Sequence, residues 1–304
     1  MPFTTEFAAV KLYSPAKLQP AVDAAIKHCN QTNTAAHRYK KDHLIANEHH
    51  ACMMDTPALL FVICLVTLSL SAQTGAYVCN RRAKLNDGDR ADLGVILTAT
   101  LTLLGLIIGF TFSMAITRYD QRKDYEASEA NAIGTEFVRA GLLPTAGAAR
   151  VRERLRTYLN ERVLFYTTRD VSQLQHIDTS TTQLQMDLWS AVQDQAAAQQ
   201  TPIAALVASG MNDVLNSQAY TQAAWWNRIP IAAWVLMEVI AMCSAYLLGY
   251  TSHRHEGKAK RFFVLPLIVS ISFFLIADID SPRGGTILVH PRNLESLSRS
   301  LRVH

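Results

Sequence analysis

The feature that most constrains this chain is the way its apolar residues gather into four charge-poor runs. They form two pairs on either side of a polar stretch, residues 118–228. Runs 56–80 and 93–117 carry no charge, run 229–252 carries only Glu238, and run 262–277 is uncharged but just 16 residues long and contains Pro266. About 20 helical residues cross the hydrocarbon core of a bilayer. Within lipid only a helix or a closed barrel satisfies its own backbone. The pattern therefore predicts an all-α integral membrane protein with four transmembrane helices in two pairs and a helical extramembrane domain between them. The fourth span is expected to be thin, kinked or partly buried in protein. The segments are then an N-terminal extension (1–54), a first helix pair (55–117), the extramembrane domain (118–228), a second pair (229–277) and a C-terminal tail (278–304).

Four crossings put both termini and residues 118–228 on one side of the bilayer and the two short loops on the other. Each short loop holds four Lys/Arg, against six on the opposite side near the span ends, which leans toward cytoplasmic short loops. Trp225, Trp226 and Arg228, just before the third span, read as an interfacial anchor.

Residues 118–228 hold eleven Lys/Arg and twelve Asp/Glu, and no basic patch is interleaved with aromatic residues. That excludes a nucleic-acid groove. Val151, Leu155, Tyr158, Leu159, Val163 and Tyr166 follow the spacing of a buried helical stripe, with Arg150, Arg152, Arg154, Arg156 and Arg162 largely on its wet faces. Thr201-Pro202 marks a helix start and Pro144 a helix break. Glu126, Glu129 and Glu136 read as a solvated or inter-helix polar face, with Arg122–Glu126 and Glu136–Arg139 as local ion pairs.

Residues 1–54 hold five of the ten histidines, without ligand spacing, and Met53-Met54 offers an alternative start. Five cysteines in no CxxC pattern read as apolar fillers or incidental thiols. No metal, no cofactor and no catalytic motif is expected.

Function is sought in the second span. Gly105, Gly109, Ser113 and Thr117 place a small residue every fourth position, suiting close helix packing or the lining of a pore. Leu104, Ile108 and Phe112 form an apolar row that suits lipid or core contact, or a neck that gates by dewetting. Glu238, about ten residues into the third span, costs ~2.5–3.5 kcal/mol to insert and must face protein or water. It serves either ion or proton passage or a hydrogen bond between helices. Asp278 and Asp280 beside Arg283 read as interfacial charge with a local salt bridge, or as a cation or head-group site at a pore mouth.

Three stretches carry a resemblance: Leu104-Gly-Leu-Ile-Ile-Gly-Phe-Thr-Phe-Ser-Met-Ala115, then Glu129-Ala-Asn-Ala-Ile-Gly-Thr135 with Arg139-Ala-Gly-Leu-Leu-Pro144, and Asp278-Ile-Asp-Ser-Pro-Arg-Gly-Gly285. Together they resemble the bestrophin-like domain family of bacterial membrane proteins, over roughly residues 57–293. Glu129, Asn131, Arg139, Asp278, Asp280 and Arg283 are its polar motif positions. The resemblance extends distantly to bestrophins, pentameric chloride channels whose second span lines an apolar neck. It implies a multi-pass protein of a bacterial inner membrane, a homo-oligomer in the lipid bilayer that passes anions. Leu104, Ile108 and Phe112 would match the neck by position. It also implies a cytosolic extramembrane domain, opposite to the charge count. A non-conducting scaffold or sensor, whose helical domain binds a partner, is the other reading.

Overall fold

The structure, a computed structural model, describes residues 56–81, 87–198, 201–251 and 259–302. The five N-terminal histidines and the Met53-Met54 pair lie outside the described residues. Those residues form eight helices and no strand: α1 (Pro57–Arg81), α2 (Asp87–Ala140), α3 (Thr145–Thr167), α4 (Val171–Ala198), α5 (Pro202–Trp226), α6 (Ile231–Thr251), α7 (Ala259–Asp280) and α8 (Arg292–Arg302). Four of them, α1, α2, α6 and α7, are long and apolar enough to cross a membrane.

Two apolar cores result. In the membrane core Leu68, Ala72, Met237, Ala241, Phe273 and Ile276 are buried where α1 packs on α6 and α7. The second core lies among α2, α3, α4, α5 and α8, around Ile133, Val151, Leu155, Leu188, Val207 and Leu294. Tyr119 of α2 packs against both.

α2 belongs to both parts because nothing in its 54 residues breaks it: neither proline nor an internal cap interrupts the run until Gly141. At 1.5 Å per residue it is about 80 Å long, well beyond the ~30 Å of hydrocarbon. Thr201 caps α5 as expected, its side chain accepting from the Ala204 N–H, with Pro202 in the first turn. Pro266 lies inside α7, the span with the largest buried share of its apolar stretch, 50% against 6% in α2.

Close helix packing falls at a place the sequence reading did not single out. A Cβ on Gly75 of α1 would land on the Tyr246 carbonyl, and one on Gly249 of α6 on the Ala72 carbonyl. The two backbones thus touch, with Ala241, Ala245 and Gly249 giving α6 a small residue every fourth position. A Cβ on Gly105 or Gly109 of α2 would meet nothing within 4 Å.

Several side chains depart from their expected surroundings. Arg162 is buried to 1% exposure, not on a wet face. Trp225 is buried against Phe165 and Tyr166, leaving the exposed Trp226 as the outward ring of the pair. The C-terminal stretch contains α8, docked on α2 and α3 through Leu294, Leu297 and Leu301.

Candidate functional site: the open face of the long helix and its polar junction

The row Leu104, Ile108, Phe112 does not keep to one side of α2. Residues four apart on a helix turn by about 40°, so the row winds out of the chain's own core. Leu104 is 2% exposed and packs in the membrane core, Ile108 is half-buried, and Phe112 is 36% exposed. Gly105, Gly109, Ser113 and Thr117 lie on the exposed side with Phe112. The Thr117 hydroxyl donates to the Ser113 carbonyl and that of Thr102 to the Thr98 carbonyl, so these hydroxyls are satisfied within the helix. The face is therefore narrow and carries no charge.

Glu238 lies on α6 opposite α1. Thr67 donates to its Oε1 at 2.6 Å, an interhelical hydrogen bond, while its Oε2 is buried without a hydrogen-bond partner among the described residues.

Where α2 leaves the membrane core, Arg122 holds two helix ends together. Its guanidinium donates to the carbonyls of Ala224 and Asn227 at the end of α5, and of Ile279 and Asp280 at the end of α7. Carbonyls in a last helical turn lack intrahelical donors and attract a cation. The expected Arg122–Glu126 pair does not form for this reason. Asp280 receives Arg118 at 3.5 Å and the Ile229 N–H at 3.0 Å. Asp278 accepts from the Thr286 N–H and hydroxyl and from the Ile287 N–H, folding the chain after α7. Arg283 donates to the carbonyls of Phe165 and Thr168 and stacks on Phe165 and Trp225.

The three glutamates further along α2 are all buried, each in a different setting. Glu126 accepts from the N–H groups of Asn293 and Leu294 and from the Asn293 amide, capping the start of α8. Glu126→Ala should loosen α8 at a cost of about 1 kcal/mol, the usual value of a lost cap. Faster hydrogen exchange confined to residues 292–302 would show it, and unchanged exchange there would exclude it.

Glu129 accepts from Arg162, Tyr166 and Thr221. Burial works against the Arg162 charge, but the adjoining Glu129 carboxylate, together with Tyr158 and Tyr166, more than offsets it and leaves the pKa raised. Burial first, and Glu129 second, push the Tyr166 hydroxyl up, so it remains a donor. Asn131 is exposed. Glu136 does not form the expected pair with Arg139, which reaches Asp213 of α5 at 3.8 Å instead.

A sequence profile of the Bestrophin-like domain matches residues 63–294, which spans both membrane pairs and every polar motif position named above. The chain belongs to the bestrophin-like domain family. Its fold is also that of solved bestrophin homologues. One structure of a bacterial bestrophin homologue from Klebsiella pneumoniae, a single-residue variant, aligns with a TM-score of 0.55 at 12% identity, covering 79% of this chain and 97% of that one. A second structure of a bestrophin homologue from the same organism gives 0.54 at 13%, covering 79% and 96%. At such identity the likeness concerns the fold alone. No curated protein matches the sequence. The burial of Arg162 and the close approach of Gly75 to Tyr246 and of Gly249 to Ala72 escaped the sequence reading. The regular small residues of α6 were the available signal for the second.

Proposed function

We propose that this bestrophin-like protein is a subunit of a homo-oligomeric anion channel whose conducting path runs along the exposed face of α2. The observation that carries this reading is the contrast between the two sides of that helix. Leu104 and Ala115 pack into the chain's own membrane core, while Gly105, Gly109, Phe112, Ser113 and Thr117 are left uncovered by it. A face of small and hydroxyl-bearing residues suits water or a neighbouring copy better than it suits lipid. Family membership and the shared fold support the same reading.

Phe112, with Ile108 beside it, forms the apolar constriction, and Leu104 anchors the row to the subunit behind it. A neutral apolar neck passes ions when it is wetted and blocks them when it dries. Ion choice would then rest on charges near the mouths, among which Arg118 and Lys123 follow the neck along α2.

Halide flux from liposomes containing the purified protein tests this directly. Phe112→Ala is expected to raise flux several-fold by widening the neck. A polar thiol reagent should modify cysteines placed between residues 98 and 117 on one helical face only. Flux equal to that of empty liposomes, with protection along the whole segment, would overturn the channel reading.

That outcome would favour a non-conducting scaffold or sensor. The observation behind this alternative is the set of large apolar side chains exposed on the helical domain, among them Met186 and Trp189 of α4 and Ile203 and Leu206 of α5.

A further inference from the structure

Glu136 is the one member of the glutamate series on α2 that the network leaves alone. Its side chain is fully buried, and neither carboxylate oxygen has a hydrogen-bond partner among the described residues. It sits in a cradle made by Gly210 of α5, where a Cβ would fall on Oε2 of Glu136 and crowd Nη1 of Arg139. Two carboxylates compete for that single guanidinium. The exposed Asp213 takes it, because an ion pair at the rim needs less desolvation than one in the cradle.

Among the described residues, the other surroundings supply no counter-charge. Arg152 and Arg156 of α3 lie over the ring of Phe137, with Arg152 bonded to the Phe137 carbonyl. α8 meets this stretch of α2 through Leu297 at Gly134, while its Glu295 and Arg299 are exposed. The charged groups acting on Glu136 are Arg139 and Asp213. A lone carboxylate out of water is far more costly than the neutral acid.

We propose that Glu136 is a proton-binding site that controls the joint between α2 and α5: protonated, it stays in the Gly210 cradle, and its ionisation favours a state in which α5 has parted from α2. Burial raises the carboxyl pKa to about 8; Arg139 opposes the rise and Asp213 adds to it. In the parted state, where water reaches the group, the pKa returns to its ordinary value of 4.5. The sign follows. The neutral form is favoured in the closed joint, so closure is strongest below the ordinary carboxyl range. It weakens by about tenfold per pH unit as pH rises from there to about 8, then stays level.

The same helix carries Phe112 about 36 Å away, at 1.5 Å per residue, so a shift of α2 at Glu136 is delivered to the membrane segment by a continuous element. This last link rests on the channel reading; the titration of the joint does not.

The test is hydrogen exchange of residues 204–217 in the full-length protein from pH 5 to 9, corrected for the intrinsic pH dependence of exchange, with halide flux measured on the same samples. In the wild type, protection should fall about tenfold per pH unit and level off near pH 8. In Glu136→Gln it should be flat, and a profile parallel to the wild type would overturn the proposal. Asp213→Asn should bring the plateau to lower pH by freeing Arg139 for Glu136. If Glu136→Gln does not fold, a plateau left at the wild-type pH in Asp213→Asn would overturn it. Exchange that follows the Glu136 variants without any flux keeps the joint and removes the channel; flux with exchange indifferent to Glu136 does the reverse.

Discussion

Arg162→Ala is expected to destabilise the helical domain by about 3–5 kcal/mol, the usual cost of stranding one member of a buried ion pair. The change leaves Glu129, itself without exposure, facing only the Tyr166 and Thr221 hydroxyls. Thermal or denaturant unfolding of the purified protein measures it. Glu129→Gln should cost less, because a neutral amide still bonds these neighbours. A double Glu129→Met, Arg162→Met variant should lose far less than the two single losses added together, since it strands no charge and fills the space. Additive losses would mean that the two side chains are not a coupled pair. Wild-type melting in Arg162→Ala would mean that the guanidinium is not buried as described.

The second large effect is expected at the contact between α1 and α6. Gly249→Ala drives a methyl group into the Ala72 carbonyl, and Gly75→Ala does the same at Tyr246. A backbone atom cannot rotate aside as a side chain does, so each loss should lie at the upper end of the about 1–3 kcal/mol typical of overpacking. Melting temperature in detergent, followed by a probe in the membrane helices, is the measurement. Gly105→Ala is the control, because a Cβ there meets nothing within 4 Å in the chain. It should leave the subunit's melting unchanged, and any effect on assembly size would report packing between copies. Equal losses for Gly105→Ala and Gly249→Ala within a single subunit would contradict the arrangement of these helices.

The two glycine positions show where the sequence stops being informative. The -xxx- spacing is as visible in Gly105-Leu-Ile-Ile-Gly109 as in Ala241, Ala245 and Gly249. Only the second series meets another helix of the same chain. Spacing describes one helix, whereas close approach belongs to two, and which two meet is decided by how loops and cores arrange four spans. Leu104 and Phe112 teach the same lesson: they share a row, but the row winds between surroundings that no single-helix pattern records.

What the sequence determined by itself is what depends on local chemistry. Charge-poor runs of the right length become membrane helices because lipid offers the backbone no partner. The Val151 stripe becomes a buried face because its 3.6-residue period aligns the apolar side chains. Thr201 caps α5 because a hydroxyl and a following proline suit a first turn. The tertiary structure alone decided the fate of the charges. Arg162 became buried because Glu129 came to it from 33 residues away, Arg122 became a clasp because two helix ends met beside it, and Glu136 lost its neighbour Arg139 to Asp213. A charge acts through space on whatever partner lies nearest in a medium of low polarity, and nearness between distant segments exists only once the chain is folded.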